Sequence, residues 1–253
     1  MFHTLFTDER FKPDAIKIYP TLAVRGTELY DMWLRGLWKP YGLEELVELL
    51  AKVKAMVPPW VRIQRIQRDI PATVIEAGPK KSDLREIVRA YMASKGMRCR
   101  CIRCREVGHK MLKEGLLPDP EAVELVQHRE EASGGLDIFL SYEDTSKDIL
   151  IGYVRLRIPS ELAHRPEIRS CRSALIRELH IYGPMVPVGS RRPDGWQHRG
   201  YGARLVEEAE RIAREEFDAE KMFILSALGV KRYYARLGYR PEGPYVSKGL
   251  EKS

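Results

Sequence analysis

Three groupings of residues in this 253-residue chain have the types and spacing to do chemistry. The first is the loop Gln197-His198-Arg199-Gly200-Tyr201-Gly202-Ala203, which runs into a segment with apolar residues at 205, 206, 209, 212 and 213. That spacing predicts a helix with one apolar face. A glycine loop feeding a helix start leaves main-chain N–H groups pointing outward, and helix N-termini favour anions, so the loop suits a pyrophosphate. It is one glycine short of the dinucleotide fingerprint and lacks the Gly-Lys-Ser/Thr ending of a triphosphate loop. A plain turn before an amphipathic helix has the same spacing. The second grouping lies in the predicted strand 177–183. Alternation puts Glu178, His180 and Tyr182 on one face and Leu179 and Ile181 on the other. A His–Glu pair reads either as a general base or as a hydrogen-bonded structural feature. The third is Cys99, Cys101 and Cys104, three of the four cysteines within six residues. With no secretion signal in the sequence, such clustering argues for metal before disulfide. The spacing can supply three ligands to a tetrahedral zinc, with a fourth from elsewhere. Cys171 is the one cysteine left and His109 the next candidate. Neighbouring arginines would favour the thiolate form. Three ordinary reduced thiols are the alternative.

The elements that position these residues follow from periodicity. In residues 1–93, strands are expected near 14–20 and 61–66, and helices over 27–37, 43–57 and 83–93, a βα rhythm that points to a parallel sheet or part of a barrel. Residues 94–135 read as a basic, cysteine-rich linker, with 116–135 as a loop and helix bridging two domains. From 136 the pattern becomes that of an antiparallel sheet: strands over 136–142, 149–158 and 174–182, then the glycine loop and helix, a strand over 221–226, a short helix through Tyr233 to Leu237 and a last strand near Tyr239.

Charge is uneven. The net charge of +7 is concentrated in residues 52–110, which carry 15 basic and 5 acidic side chains. A local basic block suits a phosphate-backbone partner and salt-sensitive binding, against the alternative of a solvated basic face. No apolar run approaches the roughly 20 residues of a membrane helix, so a cytoplasmic protein is expected.

The loop, its helix and the surrounding strands resemble the GNAT acetyltransferase superfamily, whose Arg/Gln-x-x-Gly-x-Gly/Ala loop holds the pyrophosphate of acetyl-coenzyme A. A closer resemblance is carried by Gln197 to Gly202, Glu207 to Ala213, Tyr233-Tyr234 and Gly243-Pro244-Tyr245, joined upstream by Phe11 to Asp14, Lys17 to Thr21, Gly26 to Tyr30 and Arg65 to Pro71. Together these look like the Elongator-type tRNA wobble-uridine (U34) modifying family. The fold this implies is α/β and α+β: the C-terminal part of a radical-SAM barrel (1–93), the linker (94–135) and a GNAT domain (136–253).

The resemblance implies that Glu178, Leu179, His180 and Ile181 hold the pantetheine arm by main-chain bonds. Gln197, His198, Gly200, Tyr201, Gly202 and Ala203 would hold the pyrophosphate. A phenol, Tyr234 first and Tyr233 second, would serve the departing thiolate; two core aromatics are the bland reading. Lys17, Arg62, Arg65 and Arg68 would line a cleft for the tRNA anticodon loop, extended by Arg100, Arg103 and Arg105. The [4Fe–4S] cluster and S-adenosylmethionine of the full-length family are not expected here, because no cysteine precedes Cys99. The chain is therefore expected to be a fragment of a longer protein, with a split or degenerate member as the alternative, that binds acetyl-CoA and tRNA, with structural zinc and other Elongator-type subunits as partners. A GNAT protein lysine acetyltransferase and a non-catalytic tRNA-binding scaffold are the alternatives.

Overall fold

Two large apolar clusters and smaller ones beside them take up the buried apolar residues in the computed structural model, which describes residues 1–183 and 200–251. Unit 1 comprises residues 1–6 and 13–104, and unit 2 residues 7–12 and 105–253.

Unit 1 contains α1 (Phe2–Thr7), β1 (Ala15–Lys17), β2 (Ala23–Val24), α2 (Glu28–Leu34), α3 (Leu43–Met56), β3 (Arg62–Arg65), β4 (Ile75–Ala77) and α4 (Leu84–Ser94), and ends in the short turn α5 (Ile102–Arg105). The Thr27 hydroxyl caps α2 by accepting from the Tyr30 N–H at 3.3 Å. α3 buries Leu46, Val47, Leu50, Ala51 and Val53, and Pro58-Pro59 prevents its continuation. That face packs with Ile63, Leu84, Val88, Met92 and Cys101. The expected parallel pairing is realised by β1 and β3. β2 and β4 form a separate antiparallel pair, which the βα rhythm did not suggest because β2 is only two residues long.

Unit 2 contains α6 (Val107–Glu114), β5 (Val123–Ala132), β6 (Gly135–Asp144), β7 (Ile149–Ile158), α7 (Pro166–Arg169), β8 (Ser173–Ile181), α8 (Tyr201–Phe217), β9 (Lys221–Ile224), α9 (Lys231–Arg236), β10 (Arg240–Glu242) and β11 (Tyr245–Gly249). The sheet runs β10-β11-β9-β8-β7-β6-β5. Neighbours are antiparallel except β8 and β9, which are parallel. α8 lays Leu205, Val206, Ala209, Ile212 and Ala213 on the face formed by Ile138, Leu140, Val154, Leu156, Ala174 and Ile176.

Two expectations are corrected. Residues 116–135 are not a bridging loop and helix: Val123–Ala132 is a ten-residue strand paired along its length with β6. Its sequence is polar because it is an edge strand, where exposed Glu124, Gln127, Arg129 and Glu131 discourage further pairing. Nor is there a separate cysteine-rich linker, since residues up to Cys104 pack within unit 1. Among the described residues no helix is long and apolar enough to cross a membrane.

Candidate functional site

The site in unit 2 begins with a break in the sheet. β8 and β9 pair from Ser173–Lys221 to Ile176–Ile224 and no further. The register between β7 and β8 shifts just there, from Leu156–Ile176 to Arg155–Glu178, so Arg177 is an extra residue on β8. A bulge bends its strand and increases local twist. It also changes which residues face the core: Ala174 and Ile176 before it, Leu179 and Ile181 after it, all on the α8 side. Glu178 and His180 therefore lie on the opposite face, as alternation within 177–183 predicted. Beyond the bulge, the stretch Glu178–His180 has, among the described residues, a sheet neighbour on the β7 side alone. The edge turned toward β9 can accept an extended ligand as an added strand would be accepted. Gly152 makes this geometry possible. A Cβ at that position would lie 2.7 Å from the His180 carbonyl oxygen and 3.1 Å from the Ile181 Cα.

The start of α8 faces the same break. Gly200 precedes the helix with φ +78°, a left-handed conformation that favours glycine. The first N–H groups of a helix have no intrahelical acceptor, which makes this end an anion seat. Gly202, in the first turn, sits between two side chains. A Cβ there would lie 2.8 Å from the Tyr233 hydroxyl and 3.6 Å from Ile181 Cγ1. The end of β8, the start of α8 and α9 thus meet at one point. Gly200, Tyr201, Gly202 and Ala203 of the predicted loop take part in this helix start; Gln197 and His198 lie outside the described residues. Arg204 follows, with its guanidinium over the rings of Tyr201 at 4.5 Å and Tyr142 at 5.2 Å.

The adjacent tyrosines have different surroundings. Tyr234 is buried in the core beneath α8 and meets Tyr233 edge-on at 5.2 Å and Tyr239 at 6.1 Å. Burial pushes its phenol up to about 12. Tyr233 is half-buried, with its hydroxyl at Gly202, and burial raises its pKa as well. Both phenols keep their protons at neutral pH, which is the state a proton donor needs.

Glu178 does not fit a base. Burial alone would push its carboxyl up, but hydrogen bonds from His180 and Arg155 outweigh burial and hold it down at about 2. Arg155 Nε lies 2.9 Å from one carboxylate oxygen and His180 Nε2 3.3 Å from the other. Arg155 also spans the rings of Phe139 and Tyr153, at 5.2 Å from each. Sequence reasoning missed Gly152, Arg155 and the Arg177 bulge. The alternation of Tyr153 and Arg155 along β7 was visible, but nothing local said which residues they would meet.

In unit 1, the sulfurs of Cys99, Cys101 and Cys104 lie within 4.8 Å of one another. Hydrogen bonds from Cys104 and Cys99 favour Cys101 as the thiolate, and the same sharing raises the other two. Three sulfurs so gathered fit a thiophilic ion such as zinc. Cys171 is not in that group. It lies in unit 2 beside Ser170, against Ile168, Phe223 and Tyr245. His109, also in unit 2, faces Glu106 at 3.3 Å.

The predicted RNA-contacting cations divide. Lys17, Arg65, Arg68 and Arg100 are exposed and Arg62 is half-buried. Arg65 pairs with Asp69, and Arg68 lies over the Tyr19 ring at 5.5 Å. Arg103 is half-buried, with its Nε enclosed. Arg105 is a correction. It is 1% exposed, bonded to Glu143 at 2.5 Å and near Asp148 at 3.5 Å. A guanidinium enclosed in this way has no surface to offer a phosphate.

Two family models match the chain: the Radical_SAM C-terminal domain over residues 13–94 and the acetyltransferase (GNAT) family over residues 109–239. A tRNA uridine(34) acetyltransferase of Methanocaldococcus infernus is 52% identical over 251 residues, covering 99% of this chain and 47% of that protein. Elongator complex protein 3 of Homo sapiens is 47% identical over 250 residues, covering 99% of this chain and 45% of that protein. The solved structure of the archaeal M. infernus Elp3 with an N-terminal deletion (1–46) superposes with a TM-score of 0.92 at 52% identity, covering 99% of this chain and 58% of that one. The chain spans about half the length of the curated relatives it matches. With both domains matched and this identity sustained along it, the chain belongs to the Elp3/tRNA uridine(34) acetyltransferase family and carries that family's Radical_SAM C-terminal domain and GNAT domain.

Proposed function

We propose that this chain binds acetyl-CoA where β8 parts from β9 and cleaves its thioester when tRNA is bound, as part of an enzyme that modifies C5 of the wobble uridine. One observation supports this above others: the strand ladder ends at Ile176–Ile224 beside the N-terminus of α8, with a tyrosine hydroxyl at Gly202. The pyrophosphate sits at Gly200–Ala203, helped by Gln197 and His198. The pantetheine arm runs along Glu178–Ile181 as an added strand. In hydrolysis, water oxygen bonds to the acyl carbon and loses a proton to solvent, the C–S bond breaks, and the leaving thiolate takes the phenol proton of Tyr234, with Tyr233 as the second candidate. The phenolate is then reprotonated from solvent.

Lys17, Arg62, Arg65, Arg68 and Arg100 form the RNA-facing cations of unit 1, and anticodon-loop binding through them weakens with salt. In the complete cytoplasmic enzyme, with its partner subunits, S-adenosylmethionine and a [4Fe–4S] cluster supply the radical chemistry that attaches the acetyl-derived group. Cys99, Cys101 and Cys104 hold a structural zinc.

Acetyl-CoA hydrolysis with and without tRNA, at two salt concentrations, tests the reading, with Tyr234→Phe alongside. Stimulation by tRNA that fades with salt and is lost in the variant is expected. Hydrolysis indifferent to tRNA would replace this reading with a protein or small-molecule acetyltransferase. Absence of acetyl-CoA binding would leave a tRNA-binding scaffold.

A further inference from the structure

Unit 1 encloses cations that have no carboxylate. Lys54 lies on the core side of α3 and is 2% exposed. It makes no ion pair or hydrogen bond among the described residues. A lysine so little exposed has given up most of its water, which is unfavourable when no anionic group answers it. Two guanidiniums share the neighbourhood. Arg103 has a buried Nε with no acceptor. Arg85 donates to the carbonyls of Ile63 and Gln64 at 3.1 and 3.3 Å, and no carboxylate pairs with it among the described residues. Sulfurs are the anionic groups seen to act on these cations among the described residues. Lys54 acts on Cys104, and Cys99, Cys101 and Cys104 all act on Arg85. Backbone and core packing bring them together: the Ile102 N–H bonds to the Val61 carbonyl at 3.0 Å, and Cys101 packs in the cluster that contains Leu50, Ala51 and Ile63.

We infer that Lys54, supported by Arg103 and Arg85, is the counter-ion of a metal–thiolate centre at Cys99, Cys101 and Cys104. The inference rests on the metal reading above. Three thiolates carry one charge more than a divalent ion neutralises. A lysine only 2% exposed beside them cancels that excess, and the centre in turn supplies the partner that Lys54 lacks. The two burials are tolerable together and not apart. The same assignment moves Arg103 from the RNA-contacting set to the surroundings of the metal.

The test measures zinc affinity of the full chain by competition with a chromophoric chelator. The variants are Lys54→Met, which keeps the length of the side chain, Lys54→Arg, which keeps the charge, and Cys101→Ser. Lys54→Met is expected to bind zinc about 10–100-fold more weakly, the usual cost of losing a group that supports a metal ligand. Lys54→Arg is expected to recover most of that loss. Cobalt-loaded Lys54→Met should keep the thiolate charge-transfer band at saturation, because the ligands are intact. Thermal melting supplies a sign. Without metal, Lys54→Met should melt at or above the wild-type temperature; with zinc, below it. A lysine that serves packing alone would lower both midpoints and leave zinc affinity unchanged, and that result overturns the counter-ion assignment while the metal reading stands. Wild-type chain that takes up no more zinc than Cys101→Ser would overturn the metal reading and this inference with it.

Discussion

Unit 2 contains a closed region and an open one in the same sheet. In the closed region, where β6 meets β7 and the turn after it, every buried charge is answered within the protein. Arg105 meets Glu143, and Glu143 also accepts from the Ser141 hydroxyl at 2.7 Å. Asp144, 0% exposed, accepts from the N–H groups of Asp119 and Lys147 and from the Ser146 hydroxyl. In the open region, β8 leaves β9 and the main chain of Glu178–His180 keeps one sheet neighbour among the described residues. The difference shows which feature marks a ligand site. Buried charge is plentiful in the closed region and builds architecture there. What distinguishes the open region, among the described residues, is an interior strand whose backbone loses its second partner part-way along, next to a helix N-terminus.

The largest effect that tests this contrast lies on the closed side. Arg105→Ala leaves Glu143 charged and enclosed, and removing one partner of a buried pair costs about 3–5 kcal/mol. Unit 2 should therefore melt far below the wild-type temperature. Arg100→Ala, at an exposed position, should leave melting unchanged and weaken RNA binding at low salt. If Arg105→Ala lowered RNA affinity with stability intact, the division between architecture and site would be wrong.

On the open side the largest effect should be kinetic. Tyr234→Phe removes a proton donor, a loss of about 100-fold or more in hydrolysis rate, while the ring stays in place against Tyr233 and Tyr239. Tyr233→Phe should cost less rate and more acetyl-CoA affinity, because its hydroxyl lies at the helix start, beside Gly202. Measured rates and dissociation constants for the two variants would assign the phenols. A reversed pattern would give the chemistry to Tyr233.

Much of this was legible in the sequence, and what was not has a physical reason. The α8 face, the β6–β7 hairpin and the faces of β8 beyond the bulge all follow from periodicity, which is local. The glycines at 200 and 202 marked the helix start because a positive φ and a close contact both require small residues. By contrast, β5 was hidden, since an edge strand needs no apolar alternation. Arg105 looked like one more arginine beside Arg100 and Arg103 in a basic run; its burial depends on Glu143, 38 residues away. Lys54 looked like an ordinary charge on an amphipathic helix. The bulge at Arg177 has no composition of its own and exists only relative to β7.

A smaller effect sharpens the open region. Gly202→Ala should displace the Tyr233 hydroxyl, a contact of the size of one hydrogen bond, about 0.5–1.5 kcal/mol. Acetyl-CoA affinity should fall several-fold by titration calorimetry. Stability should hardly change, because alanine is the better helix former and the clashing atom is the tip of a side chain. Equal affinity in the variant would mean that the ligand does not approach the first turn of α8.

The smallest effect concerns the rim between the two regions, where Glu178 is held by Arg155 and His180. Its carboxyl has a folded pKa of about 2, below the ordinary 4.5. A lowered pKa means that the stabilisation is present above 4.5 and is lost as pH falls toward 2. The side chain is 34% exposed, so solvent screens the pair and the contribution should not exceed about 1 kcal/mol. Glu178→Gln should thus melt slightly below the wild type at pH 6, where Arg155, 4% exposed, loses its counter-charge. The two should converge by pH 2, and the gap at pH 6 should narrow with added salt. A gap that persists unchanged to pH 2 would mean that shape, and not charge, is what Glu178 contributes. The rim would then belong with the closed region, as packing that happens to border the cleft.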